Sequence, residues 1–86
     1  MSQFELYLTA EQKMNILSAR VQQHAGEGYQ HEINLAIAKE NGDETLLESS
    51  KKAISIISSA ISVELQQLSV VQIELDNKTE PVTDEF

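Results

Sequence analysis

Leu47, Ile54, Ile61, Leu68 and Leu75 recur at a strict spacing of seven in the second half of the chain. An aliphatic repeat of that period is the seam of a long packed helix. At about 100° per residue, Ile57 and Leu65 join the same face, and Ala53, Ala60 and Val71 widen it. Ser55, Ser58, Ser59, Ser62, Gln66 and Ser69 make a small uncharged polar face. Beyond it lies a shorter stripe, Ile56, Val63 and Val70, again at spacing seven. No charge falls between Lys52 and Glu64. An exposed helix face normally carries charges, so the second stripe reads as a contact surface. The plainer alternative is three exposed β-branched residues tolerated singly. A helix apolar on two sides needs two partners, and one short chain readily supplies one. The pattern points to interface residues Leu47, Ile54, Ile56, Ile57, Ile61, Val63, Leu68, Val70 and Leu75, on a helix from about residue 44 to about residue 76.

The first half carries a second helical pattern. After an apolar lead-in (Phe4, Leu6, Tyr7, Leu8), Thr9-Ala10-Glu11-Gln12 forms a capping-box sequence that starts a helix. Its apolar positions are Ala10, Met14, Leu17, Val21 and Ala25, and then Tyr29, Ile33, Ala36 and Ile37. That repeat is nearer 3.7 than 3.5, which predicts a nearly straight helix. Asn41-Gly42 is its stop signal, and Asp43 caps the second helix. Two helices of roughly 45–50 Å, at about 1.5 Å per residue, joined by so short a connection make an antiparallel hairpin. Two features compete with this. Gly26-Glu27-Gly28 sits inside the first helix, where it either breaks or kinks the helix or marks a close helix approach. Tyr29, His31, Ile33, Leu35 and Ile37 also alternate as a half-buried strand would, but Glu32, Ala36, Ala38 and Lys39 are poor strand formers and favour helix.

The expected fold class is therefore all-α: a long antiparallel helical hairpin over residues 1–76, its first helix either continuous or broken at Gly26-Gly28, associating into a helical bundle. Residues 77–86 are polar, acidic and interrupted by Pro81, and read as a flexible acidic tail. Eighty-six residues hold one domain at most, and one this small is marginally stable alone.

Charge narrows the function classes. Fourteen acids against six bases leave a net −8. Six of the acids and one base lie from Glu64 onward. Phosphate-backbone binding needs clustered Lys and Arg, so nucleic acid is not an expected partner. With no Cys, disulfides and thiolate metal sites are excluded. The start MSQFELYL lacks the basic and apolar run of a signal peptide. The longest uncharged stretch, residues 53–63, is about half the length that crosses a bilayer. The expectation is a soluble protein with no membrane partner, and Asn77-Lys78-Thr79 reads as a chance glycosylation match.

Candidate chemistry is sparse. His24 and His31 share a face two turns apart with Glu27 between them, a poor spacing for a metal pair, so both read as interfacial histidines. Gly26-Glu27-Gly28 lacks the Lys-Ser/Thr ending of a phosphate loop, and no Gly-x-Ser-x-Gly elbow exists. Glu64 is the acid nearest the apolar stripe and a candidate for partial burial, and Arg20, the only Arg, is a candidate for an interfacial ion pair. No catalytic residues, cofactor, metal or small-molecule substrate are expected.

Leu8-Thr9-x-Glu11-Gln12-Lys13-x-x-Ile16-Leu17, Tyr29-Gln30-His31-Glu32-x-Asn34 and Gly42-Asp43 resemble segments of short helical proteins encoded by T4-like phages of cyanobacteria. The likeness covers most of residues 8–75 and rests on capping and packing positions. It implies a phage structural or accessory protein in the virion or host cytoplasm, part of a homo-oligomer or larger assembly. Glu5, Leu6, Leu8, Glu11, Lys13, Val21, Gln22 and Gln23 are also similar to the N-terminal helix of the NblA-type adaptors, small hairpin dimers that promote phycobilisome degradation. That similarity ends near Gln30. It implies the alternative of a small adaptor or acidic inhibitor of a host protein.

Overall fold

The computed structural model describes residues 3–84, with side chains to residue 77. A short 3-10 turn, Gln3–Tyr7, leads into α1, Ala10–Asn41. Thr9 caps α1 with an extended backbone. Its hydroxyl accepts from the Gln12 amide at 3.1 Å, and the Thr9 amide donates to Gln12 Oε1 at 2.8 Å. Both halves of the capping box are thus made. α1 ends at Gly42, whose φ of 67° is the left-handed conformation that glycine adopts without a Cβ penalty. The Asp43 amide then reaches back to the Ala38 carbonyl at 2.9 Å, and the Asp43 carboxylate accepts from the Leu46 amide at 3.1 Å to open α2.

α2 runs Glu44–Asp84 and packs antiparallel along α1, with no strand among the described residues. The hairpin is the all-α architecture expected, a rod with extents of 68 × 23 × 14 Å. The alternating run from Tyr29 to Ile37 is helical. α1 is continuous through Gly26 and Gly28. A Cβ on Gly28 would lie 3.5 Å from Ile57 Cγ2, so this glycine does sit where the helices meet. Gly26 faces open space.

α2 continues to Asp84, beyond the end near residue 76 that the sequence suggests. The helical backbone carries on past Pro81, which has no N–H to donate to the Asn77 carbonyl. Of the segment read as a flexible tail, residues 77–84 have helical backbone, and residues 85 and 86 lie outside the described residues.

Burial shows which faces meet. On α1 the shielded positions include Ala10, Met14, Leu17, Val21, His24, Gly28, His31, Leu35 and Ala38, with Lys13 and Asn34 at the edge. On α2 they include Leu47, Ser50, Ile54, Ile57, Ile61, Glu64, Leu68, Val71 and Leu75. Both series step by alternating threes and fours, the 3.5-residue repeat of a coiled-coil seam. This corrects the expected face of α1 past Val21. Each four-residue step along Ala25, Tyr29, Ile33 and Ile37 turns by ~40°, so that series winds away from α2. Tyr29 is 64% exposed, Ile33 43% and Ile37 45%, and Ala25 and Ala36 are also exposed. Leu65, placed by angle on the α2 stripe, lies half-exposed at its edge.

The core is thin. Ala10, Ala38 and Val71 are the buried hydrophobic residues among those described, and Ser50 is 1% exposed with no partner for its hydroxyl. Two substitutions test this packing. Gly26→Ala adds a methyl in open space within a helix and should stabilise the hairpin by about 1 kcal/mol in urea unfolding. Ser50→Ala removes an unsatisfied buried hydroxyl and should stabilise by a similar amount, about 1 kcal/mol; a loss of stability would mean that the hydroxyl has a partner.

Candidate association surface

One polar cluster interrupts the seam. Glu64 is 6% exposed, a rare position for a carboxylate on an aliphatic stripe. Arg20 Nε donates to Glu64 Oε2 at 3.0 Å, and His24 Nδ1 lies 2.9 Å from the same oxygen. His24 occupies the seam, whereas the Arg20 side chain comes from its edge and is 58% exposed. Burial pushes the Glu64 carboxyl up. The hydrogen bonds from His24 and Arg20, and then their charges, outweigh that and hold it below its ordinary value of 4.5. A second pair, Lys13 Nζ with Glu74 at 3.0 Å, ties the helices nearer the open end. These pairs and the Gly28–Ile57 approach fix one antiparallel register.

Glu64 lies on the seam side of α2, away from the outer face. It is the only charged residue in positions 53–73. With its carboxylate in the seam, the outer surface of α2 carries no charge over that span. Ile56 is 61% exposed, Val63 55%, Val70 56% and Ile73 57%. Of the nine predicted interface residues, Leu47, Ile54, Ile57, Ile61, Leu68 and Leu75 are half-buried against α1, and Ile56, Val63 and Val70 form this outer stripe. The structure therefore divides the nine into two surfaces. Ile73 belongs with the outer three, although the seven-residue spacing does not pick it out. A sequence signal for it exists: Ile56, Ser59, Val63, Gln66, Val70 and Ile73 also step by threes and fours.

By length and composition alone, Glu44–Asn77 is apolar enough to cross a membrane. That is longer than the 53–63 stretch suggests, because within residues 53–73 Glu64 is the one charge that interrupts the apolar run. At the open end, Phe4 and Leu8 fold over Ile16, Leu17 and Val71 to line a shallow notch of about 170 Å³. His31 lies on the seam, and no group of three His, Asp or Glu suited to a metal ion occurs among the described residues. No protein-family model, curated protein or solved structure matches the chain.

The Glu64 cluster makes a pH prediction. A carboxyl whose folded value is depressed contributes stability above its unfolded value and loses it as pH falls through the folded one. Wild type should therefore lose stability as pH drops below about 4.5. Glu64→Gln should lose less over the same range, measured as urea midpoints at pH 7 and pH 3; equal losses would show that Glu64 is not a linked group.

Proposed function

We propose that this chain is a non-enzymatic structural or accessory protein, working by helix-mediated association through the outer face of α2. The observation that carries the reading is the exposed, uncharged surface over residues 53–73, with Ile56, Val63, Val70 and Ile73 at its centre. A hairpin with so few buried apolar residues gains most by covering that surface, since each fully buried aliphatic side chain is worth about 1.5–3 kcal/mol. Partners of this chemistry are other helices, either further copies or a larger protein assembly. On the resemblance to T4-like cyanophage proteins, the setting is a phage assembly, in the virion or the host cytoplasm. Nucleic acid, membrane and small-molecule substrates have no place in this reading. The acidic composition is what an adaptor or inhibitor of a host protein would draw on. The apolar character of the exposed face favours assembly over that charge-led alternative.

The test is mass by light scattering from micromolar to hundreds of micromolar, comparing wild type with Val63→Lys. Wild type should exceed its chain mass of 9.6 kDa, and the lysine should return it toward that value. Val63 is more than half exposed in the hairpin, so its replacement should cost the isolated hairpin no more than about 0.5 kcal/mol. Gln22→Lys, on the outer side of α1, should leave the mass unchanged. An assembly insensitive to Val63→Lys would remove the outer face of α2 from the mechanism.

A further inference from the structure

We propose that the partner on this face is a second copy of the chain, with the two α2 helices antiparallel about a twofold axis near residues 64–65. The assembly is then a four-helix layer with the α1 helices outermost. This rests on the association reading above and names its partner.

Three observations carry it. The first is spacing. Ile56, Ser59, Val63, Gln66, Val70 and Ile73 form a second seam of threes and fours on the side of α2 away from α1. Antiparallel helices pair alternate seam positions in layers. About an axis near residues 64–65, Ile56 meets Ile73 of the other copy, Ser59 meets Val70, and Val63 meets Gln66. Every layer recurs by symmetry, and the bulkiest pair closes both ends.

The second is charge. The seam is bounded by Lys52 at one end and by Asp76 beside the other. An antiparallel arrangement sets Lys52 of each copy close to Asp76 of its mate. A parallel one sets lysine beside lysine and aspartate beside aspartate, and like charges in register disfavour pairing. Between these ends the face is uncharged: Glu64, the one charge in the span, lies on the other side of α2 with Arg20 and His24.

The third is length. α2 spans Glu44–Asp84, so an axis near residues 64–65 lies at its middle. Two copies overlap over their whole α2 helices, including the part of α2 that runs past the start of α1. A membrane fits less well. α1 lies along α2 and brings Lys13, Arg20, Glu27 and Glu32 with it, and a spanning helix would have to bury those charges or shed its partner.

The chain has no cysteine, so introduced ones report cleanly. Ile56→Cys and Ile73→Cys are prepared as separate full-length variants and oxidised alone and mixed. Helicity is checked by circular dichroism. Residues 56 and 73 of one copy are ~25 Å apart along the helix, beyond the roughly 7 Å between Cα atoms that a disulfide spans. The expected result is a wild-type mass of twice 9.6 kDa and a covalent dimer in the mixture, with neither variant cross-linking well alone. Efficient self-linking of Ile56→Cys would mean parallel pairing and overturn the proposal. A mass above one chain that falls with Val63→Lys, but with no 56–73 link between folded variants, would overturn it and leave the association reading standing. A chain that stays at 9.6 kDa and floats with phosphatidylcholine vesicles would assign the face to a membrane and overturn both.

Discussion

The carboxylate of Glu64 inside the helix seam is the constraint on which the rest of the hairpin turns. A buried charge is tolerated only where donors meet it, because its desolvation is costly and truncating a partner leaves that cost unrepaid. Arg20 and His24 meet it at 3.0 and 2.9 Å. No other register of α1 on α2 brings a guanidinium and an imidazole to that position together. An aliphatic seam alone slides at little cost, since one isoleucine layer resembles the next. The ion pair supplies what the aliphatic residues lack, a reason to prefer one alignment. Gly28 beneath Ile57, one turn further along α1, is set by the same alignment.

That alignment also explains the surface of α1. Once His24 faces α2, the 3.5-residue repeat carries Gly28, His31, Leu35 and Ala38 into the seam, and the larger Tyr29, Ile33 and Ile37 are left outside. The contact layer in this half of α1 is consequently small and partly polar. Ala38 and Ser50, both 1% exposed, let the helices close tightly near the turn, but small side chains bury little apolar area. A two-helix layer has only one internal surface. When that surface is lined by alanine, glycine, histidine and serine over much of its length, intramolecular burial is modest.

The architecture is legible in the sequence because its strongest signals are local. The capping box at Thr9, the left-handed Gly42 and the Asp43 cap each act within a few residues, and all three are formed. The seven-residue repeat of α2 is equally plain, because its Leu and Ile residues announce themselves. The apolar pattern of α1 misplaces the seam past Val21, although His24 and His31, read as interfacial, and Gly28, read as a possible close approach, do fall on it. Hydrophobicity is the guide there, and the positions that face α2 are His24, Gly28 and His31, which carry little of it. His24 is fixed there by Glu64 and Gly28 by Ile57, and such partners are non-local. The end of α2 is obscured for a different reason: proline reads as a stop, and here the helical backbone carries on past it. On the outer face, Ile73 is hidden because a seven-residue period samples Ile56, Val63 and Val70 and skips the positions between.

The two faces of α2 differ in where they carry charge. Helical geometry sets Glu64 about 100–120° around α2 from Val63 and Val70, on the side of Ile61 and Leu68. The desolvation cost of its carboxylate therefore falls within the hairpin, where Arg20 and His24 offset it, and the outer stripe holds no charged residue. A lone helical hairpin gains solubility from charged outer faces, and α1 has them, with Glu32, Lys39 and Glu40 among the exposed residues. α2 lacks them over residues 53–73 while keeping the 3-and-4 spacing of a packing seam. Spacing of that kind has no use in water, since solvent does not read helical periodicity. It has a use against another helix, and that is the physical ground of the association proposed for the outer face of α2.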